Sequence, residues 1–220
     1  MNDVEDEDED DDRDDDLDAK LKDMLNRNGS TLQHLILGDL DESLDLAFES
    51  VIINNLTHLD LFGGHVSDFV LKHISDALNL QSLTLCGFFS KLGVRQMFET
   101  DCIIDGKNTC LPHLESFGFV MEDEDNDLYR PVIDFLRGRE KLRRLDLGSC
   151  PWDMIRDILP DVKNLRAASV CINELSKERI KALVEALPTQ LVAVRLLADF
   201  SDGPLVHIFP LLIRLTNYAH

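Results

Sequence analysis

Seven histidines and five cysteines are the side chains of this sequence that could hold a metal or take part in nucleophilic and acid–base chemistry. The histidines occur in no HExxH, HxH or mixed Cys/His pattern. The cysteines form no CxxC pair, which is the clustering that zinc sites use. No GxSxG elbow, phosphate-binding loop or dinucleotide fingerprint occurs either. We therefore expect a protein that is not an enzyme and that uses neither a metal nor a cofactor.

Two of the histidines share a position in a repeated hexapeptide. His34 is the third residue of LQHLIL at 32–37, and His58 is the third residue of LTHLDL at 56–61. If the two hexapeptides form neighbouring strands, their imidazoles lie about 5 Å apart. A metal site needs at least a third ligand, and none is indicated. The shared position of the two histidines is therefore better explained by the sequence repeat than by a metal site.

The pattern Leu-x-x-Leu-x-Leu is the element that must position these side chains. Its seven copies start at intervals of 24, 24, 34, 28, 23 and 26 residues, and five of these intervals lie in the 20–29-residue period of a leucine-rich repeat. Helical spacing of apolar residues follows capping residues such as Ser67 and Ser176. The sequence therefore predicts an α/β fold, a right-handed leucine-rich repeat solenoid (horseshoe) of about seven strand–helix repeats with a parallel concave sheet.

The predicted domain organisation has two parts. The first 18 residues hold 13 acidic residues and one Arg, so we expect a disordered acidic arm over 1–18. The repeat domain should cover 19–220 and begin with a capping helix over 19–29, whose apolar face Leu21, Met24 and Leu25 share with the preceding Leu17. The long third interval should hold a loop over 100–109. In the apolar segment Phe209–Leu215, Leu212 and Leu215 could begin an eighth strand that ends in Thr216–His220. Strands are expected near 32–37, 56–61, 80–85, 114–119, 142–147, 165–170 and 191–196.

Places three, five and seven of each strand alternate with the leucines and should project from the concave surface. Aromatic and arginine side chains dominate the energetics of interfaces, so Phe62, Arg144 and Arg195 are the expected anchors for a protein or peptide partner. The alternative is that these residues are simply solvated. The candidate partner-binding residues are His34, His58, Asp60, Phe62, Thr84, Arg144, Asp146 and Arg195.

Composition excludes several classes of partner and location. A net charge of −20 disfavours nucleic acid, and no apolar stretch is long enough to cross a membrane. The N-terminus is acidic where a secretory signal needs basic residues. The five cysteines are not clustered, which is typical of reduced thiols, so we expect the protein in the cytoplasm, the nucleus or both. We also expect it to be a monomer.

Several phrases of the sequence resemble the repeat domains of fungal F-box proteins, especially the expanded mushroom-type families. They are NRNGSTLQHLIL, NNLTHLDL, CLPHLESFGF, REKLRRLDLG and PDVKNLRAASV, and the similarity runs from Leu21 to Leu215. In that family an F-box docks on a cullin–RING ubiquitin ligase adaptor while the repeats hold the substrate. The resemblance implies a substrate-recognition domain. The 31 residues before Leu32 are too few for an F-box, so ligase recruitment by that route is not expected.

A second resemblance is compositional. Acidic leucine-rich nuclear phosphoproteins also join a short solenoid to an Asp/Glu tail, and similar proteins bind histones or phosphatases. In those proteins the tail follows the repeats, whereas here the acidic run precedes them. This resemblance implies the alternative function, which is binding of histones or other basic partners through the arm.

Overall fold

A computed structural model describes residues 14–38, 48, 53–101, 103–104, 107–121, 126–148, 150–172 and 176–198. Seven strands of these ranges form one open sheet in which every strand is parallel to its neighbours and the strands follow one another in chain order. The α/β class is therefore confirmed. The strands of the described ranges are β1 (His34–Gly38), β2 (His58–Val66), β3 (Ser82–Phe89), β4 (Ile103–Ile104), β5 (Lys107–Asn108), β6 (Ser116–Met121), β7 (Arg144–Gly148), β8 (Ala167–Ile172) and β9 (Ala193–Ala198), and β4 and β5 form a separate hairpin.

Parallel neighbours need a crossover connection, and helices provide it between most strands. Ser67 and Ser176 cap the helices Asp68–Ser75 and Lys177–Ala186, as predicted, because their Oγ atoms accept hydrogen bonds from the Val70 N–H at 3.2 Å and the Arg179 N–H at 3.3 Å. None of the helices within the described ranges is both long and apolar enough to span a lipid bilayer. The six α-helices of these ranges are α1 (Asp14–Asn28), α2 (Asp68–Ser75), α3 (Lys91–Arg95), α4 (Tyr129–Leu136), α5 (Trp152–Ile158) and α6 (Lys177–Ala186).

One face of the sheet, here called the leucine face, carries the repeated leucines into the core. In the five inner strands of the sheet, the residues at places one, four and six of all five hexapeptides are buried. Helix residues such as Leu71, Phe135 and Ile158 belong to the same core cluster, so the helices cover this face. The outer hexapeptides of β1 and β9 are only partly buried.

Each strand begins two residues after the first leucine of its hexapeptide, so the predicted strand boundaries were two residues early. The first leucine lies in the turn before the strand and packs into the core from there. The following N–H groups bind the preceding unit: Thr57 N and His58 N both donate to Gln33 O, at 2.8 and 3.0 Å. The same shared carbonyl recurs at all six junctions between neighbouring strands of the sheet.

Three other predictions need correction. Helix α1 begins at Asp14, inside the predicted arm, because acidic residues in the first turn are favoured by the helix dipole. Met24 of α1 is exposed, so of the predicted apolar face Leu25 is buried and Leu21 packs partly against the core. The predicted loop over 100–109 contains the β4–β5 hairpin. The arm up to residue 13 and the predicted eighth strand lie outside the described residues.

Aromatic side chains fill the core beneath the long third interval. Phe117 and Phe119 of β6 replace leucines, and Phe98 lies edge-on to both, with ring centroids 6.1 and 6.0 Å apart. Phe135 of α4 completes the cluster at 4.9 Å from Phe98. Rings of this size occupy the space that the longer unit opens behind the sheet.

Candidate functional site

The opposite face of the sheet, here called the open face, carries every predicted partner-binding residue. Its side chains alternate with the buried leucines and form rows that cross the sheet, because the strands are in register. The row at place three is His34, His58, Ser82, Ser116, Arg144, Ala167 and Ala193. The row at place five is Ile36, Asp60, Thr84, Gly118, Asp146, Ser169 and Arg195.

His34 and His58 stack at the start of this face, as predicted from their shared place. Their ring centroids are 4.1 Å apart, and their planes are inclined by 20°. His58 is held further by a hydrogen bond of 2.9 Å between its Nδ1 and the Thr57 hydroxyl. The pair therefore presents two ordered imidazole edges at one corner of the open face.

Phe62 lies further along β2, next to a local break in the strand pairing. The register between β2 and β3 shifts between Phe62 and His65, and the intervening Gly63 and Gly64 have φ of 73° and 60°. These left-handed conformations suit glycine, and the resulting bulge increases the local twist. The Phe62 ring remains 41 % exposed.

Asp60, Thr84 and Gly118 lie side by side in the middle row. Asp60 and Thr84 are half-buried, and Gly118 is buried although it faces the open side. A Cβ atom on Gly118 would come within 2.9 Å of the Thr84 methyl carbon, so Thr84 leans over this glycine. The centre of the open face is consequently a shallow depression formed by small side chains.

The second half of the open face is charged. Arg144 and Asp146 of β7 and Arg195 of β9 are all exposed. Ion pairs occur elsewhere in the described part of the chain, but none of them includes Arg144, Asp146, Arg195 or Asp60. The sheet thus brings the first five predicted residues together on β1–β3 and separates them from these three by at least two strand spacings.

Polar side chains join successive units along the edge where the strands begin, and sequence reasoning missed them. Asn55 Nδ2 donates to Ser30 O at 3.1 Å, Asn79 Nδ2 to Asn54 O at 2.7 Å, and Asn164 Nδ2 to Glu140 O at 2.8 Å. Each asparagine immediately precedes a hexapeptide, and this spacing was the available signal. A polar depression of about 470 Å³ lies beside Asn55 and Asn79. The side-chain amides of Asn54, Asn55 and Asn79 that line it already form hydrogen bonds between successive turns, which indicates a structural role for these asparagines.

Arg139 has the same function at the long interval. Its guanidinium donates to Leu111 O at 2.7 Å and Cys110 O at 2.9 Å, and it lies 3.8 Å from the centre of the Phe135 ring. Leu111 has φ of 47°, an unusual conformation for a residue with a side chain. The arginine therefore stabilises a strained turn one unit before its own.

The buried titratable groups indicate structural roles. Burial raises the pKa of the Cys150 thiol from 9.0 to about 12, so this thiol is a poor nucleophile. Burial also raises the pKa of Tyr129, whose hydroxyl donates to Gly148 O and accepts from Met121 N. Among the described residues, no three His, Cys, Asp or Glu side chains converge closely enough to hold a metal ion.

Comparisons with known proteins identify no relative, so the function is argued from the geometry of the open face. No protein-family model matches the chain, and the comparison with curated proteins finds no match.

Proposed function

We propose that the chain is a non-enzymatic protein-interaction module, built as a right-handed leucine-rich repeat solenoid that holds a protein or peptide on its open, concave face. Parallel strands in chain order, with helices packed on the leucine face, support the solenoid. One observation carries the function. The charged side chains of the open face, Asp60, Arg144, Asp146 and Arg195, are in no ion pair within the described residues and are available to a partner.

The resemblance to fungal F-box proteins specifies the proposal further. The repeats would be a substrate-recognition domain of F-box type, without an F-box in these 220 residues, and would act as a monomer in the cytoplasm, the nucleus or both. Phe62, Arg144 and Arg195 would be its anchors, since aromatic and arginine side chains contribute most to interfaces.

The acidic run favours a second candidate function. Thirteen of the first 18 residues are acidic, and such a segment attracts histones and other basic proteins at long range. In this alternative the arm binds the partner, and the open face contributes little.

Quantitative pull-down from cell extract separates the two candidates. The full chain is compared with Arg144→Glu and Arg195→Glu, with deletion of residues 2–13, and with Arg95→Glu as a control. Arg95 is an exposed arginine of α3 on the helical side, so the control makes the same charge change away from the open face. The proposal predicts proteins that are lost with Arg144→Glu and Arg195→Glu only. Histones lost on the deletion alone would support the alternative instead.

A further inference from the structure

The exposed apolar side chains of the open face form a diagonal stripe across its first three strands. Ile36, Phe62 and Phe88 are 68 %, 41 % and 45 % exposed. Ile36 pairs with Asp60, two residues before Phe62, and Phe62 pairs with Cys86, two residues before Phe88. Diagonal neighbours in a sheet are about 7–8 Å apart, so the stripe is roughly 15 Å long. We call these three residues the apolar stripe.

Exposure of this stripe to water is unfavourable in the free protein, and a partner that covered it would remove that exposure. Isolated apolar residues are common on protein surfaces, but contiguous exposed ones mark interaction sites. Half-buried Cys86 and Val120, which are paired across β3 and β6, extend the apolar surface toward the centre of the sheet. The β2 bulge after Phe62 contains two glycines in left-handed conformations, so the stripe lies where the twist of the sheet increases locally.

The described residue beside the stripe that carries a charge is acidic. Asp60 lies directly beside Ile36 and is in no ion pair within the described residues. In the sequence, residues 39–49, which follow β1, contain five acidic residues and no basic one, and residues 122–127, which follow β6, also contain five acidic residues and no basic one. In contrast, the arginines of the open face, Arg144 and Arg195, lie on β7 and β9.

We propose that the apolar stripe docks an extended segment of a partner protein in which apolar side chains alternate with Lys or Arg. This inference rests on the proposed function, because it specifies which part of the open face is used and by what chemistry. About five residues of extended chain span the stripe, with alternate side chains directed at Ile36, Phe62 and Phe88. A cationic side chain then meets Asp60 and is attracted by the chain's net charge of −20, whereas a second copy of this chain carries the same negative charge and is repelled.

Fluorescence anisotropy with three labelled peptides of about twelve residues tests the proposal on the full chain. One peptide carries lysines and alternating Leu/Phe, the second replaces the lysines by Glu, and the third keeps the lysines and replaces Leu/Phe by Ser. We expect the first to bind about tenfold more tightly than either of the others. The acidic arm attracts the first and third peptides equally, so it does not produce this difference.

Variants locate the site. Ile36→Ser and Phe62→Ser should each lower the affinity for the first peptide about tenfold, and Asp60→Lys should shift the binding preference toward the Glu peptide. The matched control is Val192→Ser, because Val192 is 72 % exposed just before β9 and lies far from the stripe. Circular dichroism checks that each variant is folded.

The contradicting outcomes are distinct. Equal binding of the first and third peptides, or no binding of the first, would overturn the stripe as the docking site. Binding that is lost with Arg144→Glu and Arg195→Glu but survives Phe62→Ser would also overturn it, while upholding the open face as the interaction surface. Preference for the Glu peptide would refute the proposed partner chemistry.

Discussion

The two faces of the seven-stranded sheet are made by the same strands and differ in what their side chains contact. On the leucine face, the inner strands bury three apolar residues per hexapeptide against the helices. On the open face, the intervening residues include charged side chains in no described ion pair and three exposed apolar ones. Adjacent residues of one strand can therefore have unrelated physical roles. Residues that stabilise the core and residues on the open face alternate here with a period of two residues.

The largest expected effect compares neighbours on opposite faces of β2. Leu61 is completely buried, so Leu61→Ala should lower the free energy of unfolding by about 2–5 kcal/mol through lost burial and the cavity it leaves. Phe62→Ala removes a larger but half-exposed side chain and should cost about 1 kcal/mol or less. Urea denaturation followed by circular dichroism measures both. Equal losses would refute the separation of the two faces.

Substitution of Arg139 tests whether the turns at the strand edge contribute to the stability of the fold, as the leucine face does. Arg139→Ala removes the donors to Leu111 O and Cys110 O and should destabilise the fold by about 1–3 kcal/mol. Arg139→Lys should recover part of this loss, since a single ammonium cannot reproduce the two-pronged geometry. The control is Arg95→Ala, for which about 0.5 kcal/mol or less is expected in the same urea denaturation. An Arg139→Ala loss as small as that of the control would mean that the turn holds without the arginine.

The buried thiol of Cys150 predicts a dependence of stability on pH. The unfolded thiol loses its proton above about pH 9, whereas the folded thiol keeps it until about pH 12. The unfolded state then binds fewer protons, so stability falls as pH rises between these values, by up to about 1.4 kcal/mol per pH unit. Urea denaturation at pH 8, 9 and 10 should show a shallower decline for Cys150→Ala, although Tyr129 sustains part of it at the upper end. Identical slopes for the two proteins would contradict the assigned burial.

The asparagines at the strand edge should contribute less. Asn79→Ala removes the hydrogen bond to Asn54 O and should cost about 0.5–1.5 kcal/mol. Gln81→Ala, an amide two residues along the same edge, is the matched control and should cost about 0.5 kcal/mol or less. Thermal unfolding by calorimetry resolves the difference. A control that loses as much as Asn79→Ala would assign the effect to the general polarity of the edge.

Much of this arrangement could be predicted because it depends on local periodicity. The place shared by His34 and His58 predicted their stacking, since parallel strands in register bring like places together. The same alternation placed Phe62 and Arg144 on the open face. Periodicity also continues past place seven of a strand, and Phe88 was not predicted because β3 extends to Phe89, three residues beyond Cys86 at place seven.

What could not be predicted depends on contacts between distant residues. Arg139 binds carbonyls 28 and 29 residues earlier in the chain, and no local pattern indicates such a partner. The start of α1 at Asp14 was not predicted, because a run of acidic residues is typical of disorder, whereas the helix dipole favours acidic residues in the first turn of a helix. The β4–β5 hairpin is too short to produce a recognisable alternation.

The separation of the two faces can be tested most directly by changing the open face alone. A variant combining Ile36→Ser, Phe62→Ser, Arg144→Glu and Arg195→Glu alters four of its side chains and no residue of the leucine face. Urea denaturation should give a free energy of unfolding within about 1 kcal/mol of the original, because exposed side chains contribute little to the fold. A loss as large as that of Leu61→Ala would contradict the account, since it would make the open face part of what stabilises the protein.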